Sequence, residues 1–156
     1  MRKNIINIVI FVAIALCTLI TSSCNKKTKK DVSTTNGDYM NKNLELIINK
    51  KVIDVTWLDN ESISDLKAHI NDSITISMHK YGGFEQVGSL GFKVKNNDTK
   101  ITTNPGDIVL YSSNQIVLFY GSNSWSYTKL GHINMSNEEL EKLLGEDDIN
   151  ITLNLK

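Results

Sequence analysis

Thiols are scarce in this chain: its two cysteines, Cys17 and Cys24, both fall near the start of 156 residues. Cys17 lies inside an apolar run and Cys24 just beyond it, so the remainder has no thiol to pair, ligate or attack. Disulfides, cysteine metal sites and thiol catalysis are excluded there. An excess of either charge is also missing, because 17 Lys plus Arg balance 17 Asp plus Glu. No net field draws the chain to nucleic acid or to an acidic polymer. The sequence holds no Gly-x-Ser-x-Gly, no Walker A, no Gly-x-Gly-x-x-Gly and no His-Glu-x-x-His pattern. Its three histidines, His69, His79 and His132, are scattered and do not make a metal site. Neither a metal nor a cofactor is expected.

What is present begins with an export signal. Arg2 and Lys3 form a basic start, and Ile5 to Ile20 is an apolar run interrupted mainly by Asn7 and Thr18. Thr21, Ser22 and Ser23 then lead directly into Cys24. Small residues running into a cysteine resemble the bacterial lipobox, in which the cysteine takes up diacylglycerol and becomes the new N-terminus. Thr21 stands where a lipobox usually has leucine. The other reading is an uncleaved N-terminal anchor, for which the apolar stretch is slightly short. Both readings hold the domain at a membrane, on the extracytoplasmic side of a bacterial cell envelope. Residues 25–43, NKKTKKDVSTTNGDYMNKN, are too polar to offset the entropy of ordering and read as a flexible tether. Lys26, Lys27, Lys29 and Lys30 either lie against anionic head groups, at about 1 kcal/mol each, or form a solvated spacer. The expected organisation is a lipoprotein signal over 1–24, a tether over 25–43 and one domain over 44–156.

Within that domain, Leu44 to Ile48 and Val52 to Leu58 alternate in polarity about a turn at Asn49 to Lys51, the signature of a hairpin. Asn60 can cap a helix in which Ile63, Leu66 and Ile70 share one face. SITISMHKY, residues 73–81, alternates strictly, with Thr75, Ser77 and His79 on the wet side. Turn signals at Asn96 to Asp98, at Asn104-Pro105-Gly106-Asp107 and at Ser112 to Asn114 then divide a series of short strands. Ser136 and Glu139 form a capping box, Leu140, Leu143 and Leu144 supply a buried stripe, and Gly145 ends that helix. A last strand alternates through Ile149, Ile151, Leu153 and Leu155. An open sheet of about eight strands would expose one face and two edges. Closing it into a barrel and capping the ends with the two short helices removes both problems. The expected class is therefore mainly β, a closed or nearly closed barrel.

The segments TWLDNESISDL, YGGFEQVGSLGF, NPGDIVLYSSNQIVLFYG and SWSYTKLGHI, in that order, resemble the bacterial cyclophilin-like domain family. That resemblance implies a small barrel of cyclophilin shape. True cyclophilins, the prolyl isomerases, carry Phe-His-Arg, a spacer and Gly-Phe-x-x-x-Gly. Here Met78-His79-Lys80-Tyr81 precedes Gly83-Phe84-Glu85-Gln86-Val87-Gly88, which places Lys80 where the isomerases have their catalytic arginine. Their second signature, Ala-Asn-Ala-Gly followed by Gly-Ser-Gln-Phe-Phe, does not occur. Lysine is a mobile point charge, not a planar fork of donors, and is not an equivalent group for a twisting amide.

Two patches carry the candidate site. His79 and Lys80 are the catalytic candidates, and Tyr81, Phe84, Glu85 and Gln86 could orient a ligand or simply be solvated. Tyr120, Asn123, Trp125 and Tyr127 form a polar and aromatic loop suited to a peptide or sugar, unless Trp125 and Tyr127 fold back to cap one barrel end. Three functions remain open: a non-catalytic domain binding a peptide, protein or small molecule, an extracytoplasmic prolyl isomerase or folding helper, and a structural module of an envelope complex. A concave pocket joining the two patches favours binding or catalysis, and a flat apolar patch favours a partner interface.

Overall fold

The computed structural model describes residues 39–156. The expected export signal with Cys24, and residues 25–38 of the tether expected over 25–43, lie outside the described residues. A 3-10 turn at Tyr39–Asn41 leads into ten strands: β1 (Leu44–Ile48), β2 (Lys51–Ile53), β3 (Val55–Trp57), β4 (Ser73–Tyr81), β5 (Glu85–Ser89), β6 (Thr99–Thr102), β7 (Asp107–Tyr111), β8 (Gln115–Phe119), β9 (Ser124–Ile133) and β10 (Asn150–Leu155). Helix α1 (Glu61–His69) follows β3, and α2 (Asn137–Leu144) follows β9.

The strands pair antiparallel in the order β2-β1-β10-β4-β5-β8-β7-β9-β3, with β6 alongside β9. The two ends of that path are neighbours in the chain, because only Asp54 separates β2 from β3. Lys51–Ile53 pairs with β1, and Val55–Trp57 pairs with β9 across Val55↔Ile133 and Trp57↔Gly131. One bent segment thus bridges both edges and nearly closes the barrel. The Val52 to Leu58 run therefore forms two strands where its alternation predicts one; it changes partner at Asp54, whose carbonyl accepts from Asn134 N–H at 2.9 Å. That split and the short β6 raise the strand number from the expected eight or so to ten.

Both helices start as their sequences predict. Asn60 Oδ1 accepts from Ile63 N–H at 2.9 Å. Ser136 and Glu139 form the reciprocal capping box, Glu139 Oε2 accepting from Ser136 N–H at 3.0 Å. Ile63 and Leu66 of α1, with Leu140 and Leu144 of α2, are buried against the barrel interior, where Leu46, Ile76, Ile108, Leu118 and Leu153 meet. The Tyr111–Asn114 turn between β7 and β8 has no glycine, although Ser112 and Ser113 take φ of 51° and 64°. A non-glycine residue is strained in that left-handed region. Ser113→Gly is expected to stabilise the fold by about 0.5–1 kcal/mol in urea denaturation.

A second, smaller apolar cluster lies on the outside of the wall. Val109, Val117, Phe119 and Tyr127 are buried there, with Phe84, Val87, Ile101 and Tyr111 packed around them. Ile108 and Leu110 of β7, and Ile116 and Leu118 of β8, occupy the alternate positions and belong to the interior core. DIVLY and QIVLF are apolar on both faces because this part of the wall is covered on both faces.

Candidate functional site

On this outer face the strands enclose a concave cavity of about 420 Å³, lined by Tyr81, Glu85, Val87, Tyr111, Gln115, Val117, Asn123, Trp125 and Tyr127. Period-two geometry puts Glu85 and Val87 of β5 on the same side as Val117 of β8, since the registers Glu85↔Phe119 and Val87↔Val117 bring them opposite each other. Tyr81 ends β4 directly across from Glu85. A row of rings backs the cavity. Phe84 stacks on Phe119 with centroids 6.4 Å apart, Phe119 meets Tyr127 edge-on at 5.7 Å, and Tyr127 meets Tyr111 edge-on at 5.8 Å. Tyr81 and Trp125 form an exposed rim, at 66% and 57% exposure.

Phe84 reaches its place through glycine. Gly82 and Gly83 take φ of 61° and 74°, and a Cβ on Gly82 would run into the Phe84 ring folded back over the turn. The backbone oxygen of Phe84 accepts from Tyr120 N–H at 3.0 Å and from Gly121 N–H at 2.9 Å, which joins the two patches predicted from sequence.

At the cavity floor Glu85 is 6% exposed, and its Oε2 has no hydrogen-bond partner. Burial alone pushes its carboxyl up to about 7. The Tyr127 phenol is pushed up by burial and by the charge of Glu85, against the hydrogen bond that Asn123 Nδ2 donates to its oxygen at 3.0 Å. A buried acid on neutral aromatic walls can serve as a counter-ion when ionised or as a donor when protonated.

The other candidates lie apart from the cavity. Gln86 points into the barrel, fully buried, and its Nε2 donates to the carbonyls of Leu144 and Asp147, both at 2.7 Å. Tyr120 is buried in the same interior core at 5% exposure. His79 and Lys80 engage the loop after α2: His79 Nδ1 lies 2.9 Å from Asp148 Oδ2, Lys80 N–H donates to Asp148 Oδ1 at 2.9 Å, and Lys80 Nζ donates to Glu146 O at 3.1 Å. These bonds, that from Lys80 N–H first, hold the Asp148 carboxyl below its usual range. Phe84 supports the cavity from beneath, and Tyr81, Glu85, Asn123, Trp125 and Tyr127 line it. Trp125 and Tyr127 stand on the outer wall, so the alternative in which they cap a barrel end does not describe them. Val87, Tyr111, Gln115 and Val117 complete the lining and were not legible as site residues. The signal that marks two of them is the unbroken apolar run of DIVLY and QIVLF, which exceeds what a one-sided wall requires.

Asp107, which reads as a turn residue, does more than close its turn. Its Oδ2 accepts from Asn104 N–H at 3.0 Å, and its Oδ1 takes Lys129 Nζ and His132 Nδ1, each at 2.9 Å. Burial raises its carboxyl, but the hydrogen bonds from Lys129, His132 and the Asn104 backbone together bring it below the usual range.

A model of the cyclophilin-like family matches residues 46–156 of the chain. The chain belongs to the cyclophilin-like family. Neither the curated proteins nor the solved structures include a match. Beyond the family match, this cyclophilin-like barrel departs from the isomerase pattern in its donors. The only arginine of the chain is Arg2, so none falls in the barrel segment, and Lys80 is bound to the loop at Glu146 and Asp148. The cyclophilin-like wall instead presents rings and one buried acid.

Proposed function

We propose that this protein is a lipid-anchored, extracytoplasmic lipoprotein of a bacterial cell envelope, whose cyclophilin-like domain holds a ligand or a peptide segment without covalent chemistry. The observation that carries this reading is the outer cavity, which joins the two sequence patches and has rings on its walls. A concave site of this kind speaks for ligand binding over a flat partner interface. The anchor rests on sequence: the basic start, the apolar run and the small residues leading into Cys24, with the Lys26 to Lys30 cluster following. Prolyl isomerisation is the competing reading, and the restraint of Lys80 by Glu146 O weighs against it.

The test is made on one full-length chain with two readouts. Exchange NMR on a panel of X-Pro peptides is expected to show no acceleration by the wild type or by Lys80→Ala. Acceleration that vanishes in the variant would establish an isomerase. Incorporation of an alkyne-tagged fatty acid is expected in the wild type and absent in Cys24→Ser; equal labelling of both would refute the anchor.

A further inference from the structure

We propose, resting on the reading of the outer cavity as a binding site, that its ligand is an organic cation: an alkylammonium or guanidinium group held among Tyr81, Tyr111, Trp125 and Tyr127 with the Glu85 carboxylate as counter-ion.

The first ground is an acid without a partner. Glu85 is nine-tenths buried and its Oε2 accepts no hydrogen bond. Among the described residues, no lysine, arginine or histidine lines the cavity. The same barrel handles its other deeply buried carboxylate differently: Asp107 is 2% exposed and is met by Lys129 Nζ and His132 Nδ1, both at 2.9 Å. A carboxylate buried without such a partner is destabilising unless a cation arrives or a proton is taken up. The cation missing at Glu85 is supplied by the ligand.

The second ground is the wall. Aromatic faces carry the negative side of the ring quadrupole, so a cation seated between them is attracted and an anion is repelled. Tyr111 and Tyr127 meet edge to face beside the cavity, while Tyr81 and Trp125 flank its mouth. Gln115 adds an amide oxygen that can accept an N–H donor, and Asn123, whose Oδ1 accepts from Ser124 N–H at 2.8 Å, holds the Tyr127 hydroxyl in place. A buried acid, four rings and a neutral amide are the complement of an N–H-bearing cation. They do not suit a phosphate, a carboxylate or a purely apolar ligand.

Cation binding requires the ionised carboxylate, so affinity falls as pH drops below about 7, the value to which burial raises Glu85. The titratable groups facing it are the phenols of Tyr81 on β4 and Tyr127 on β9, with Tyr111 on β7 beside Tyr127; Tyr120 after β8, on the interior side of the wall, feels the charges of Glu85 and of Glu141 on α2. Tyr120 and Tyr127 are held above the ordinary phenol range, chiefly by burial, and remain neutral through this window. His79 is on the neighbouring strand but is engaged with Asp148. The His79→Gln variant is therefore expected to keep the pH dependence.

The chain has two tryptophans, Trp125 at the cavity rim and Trp57 packed against the interior core, so ¹⁹F NMR of the full-length protein labelled with 5-fluorotryptophan carries its own control. Four probes are titrated at pH 8: n-butylammonium, n-butanol, the blocked peptide acetyl-Ala-Lys-Ala-amide and its norleucine counterpart. Both cations are expected to shift Trp125 saturably, at least tenfold more tightly than their neutral counterparts, with Trp57 unmoved. Affinity for the cations should fall roughly tenfold between pH 8 and pH 6. Glu85→Gln should remove most of the preference, and Tyr81→Leu, at an exposed rim position, should weaken it several-fold. Tighter binding of the lysine peptide than of the free amine assigns the cation to a polypeptide side chain; equal binding assigns it to a small amine, and both support the inference. Equal binding of neutral and cationic probes, unchanged by Glu85→Gln, overturns the inference and leaves the cavity a binding site. Silence of Trp125 toward all four probes overturns both.

Discussion

Glu85→Gln is expected to make the barrel more stable by about 3 kcal/mol at pH 8 and to leave it unchanged at pH 4. The carboxyl of Glu85 moves from 4.5 to about 7 on folding, and burial is the cause. Each pKa unit corresponds to about 1.4 kcal/mol between the two protonation states, which sets the size of the effect. Its sign follows from proton linkage. Between 4.5 and about 7 the folded state binds the proton that the unfolded state releases, so stability is greatest below 4.5 and declines as pH rises through about 7. Above that pH the native protein holds a buried charge without a partner. Glutamine has nearly the same shape and does not titrate, so the variant loses this pH-dependent decline. Urea denaturation of both proteins from pH 4 to pH 8 makes the comparison. Parallel profiles would show that the Glu85 carboxylate is solvated or paired. A residue whose removal stabilises the fold at working pH is typical of a binding position, where stability and function pull in opposite directions.

Gln86, the next residue, has the opposite role. Gln86→Ala is expected to destabilise the protein by about 3–4 kcal/mol, from a core cavity together with the buried carbonyl of Leu144 and the part-buried carbonyl of Asp147 left without this donor. The amide donates at 2.7 Å to Leu144 O, at the end of α2, and at 2.7 Å to Asp147 O in the loop beyond it. The last carbonyls of a helix have no partner within the helix, so this side chain of β5 completes the end of α2. Hydrogen exchange should show faster exchange over the end of α2 and the following loop before the rest of the barrel responds. A loss below about 1 kcal/mol would mean that water replaces both bonds at no great cost. Neighbours in one strand thus serve different ends, Glu85 facing the outer cavity and Gln86 the interior.

That difference between neighbours is set by the pleat and not by residue type. The alternation of β4, the cap at Asn60, the capping box at Ser136 and Glu139 and the turn glycines Gly82 and Gly83 are local, and each has the conformation its residues imply. Tyr81, Glu85, Asn123, Trp125 and Tyr127 can be selected as polar and aromatic residues beside turns, and they meet in one cavity. Gln86 and Tyr120 belong to the same two segments and look as suitable, but the pleat sends them inward. Val87, Tyr111 and Val117 resemble ordinary strand residues. Their part in the site depends on pairings of β5 with β8 and of β7 with β9 that bring distant segments together.

By itself the sequence determined most of the strands, both helices with their caps, and that no cysteine follows Cys24. Periodicity, capping and turn chemistry act over a few residues and so are written in order along the chain. Only the tertiary structure decided that the wall has a covered outer face, and that Glu85 is buried there without a partner while Asp107 is buried against Lys129 Nζ and His132 Nδ1. Burial and charge pairing depend on which distant strands pack alongside, and the bent segment at Asp54, joining β1 on one side to β9 on the other, is what brings the barrel round.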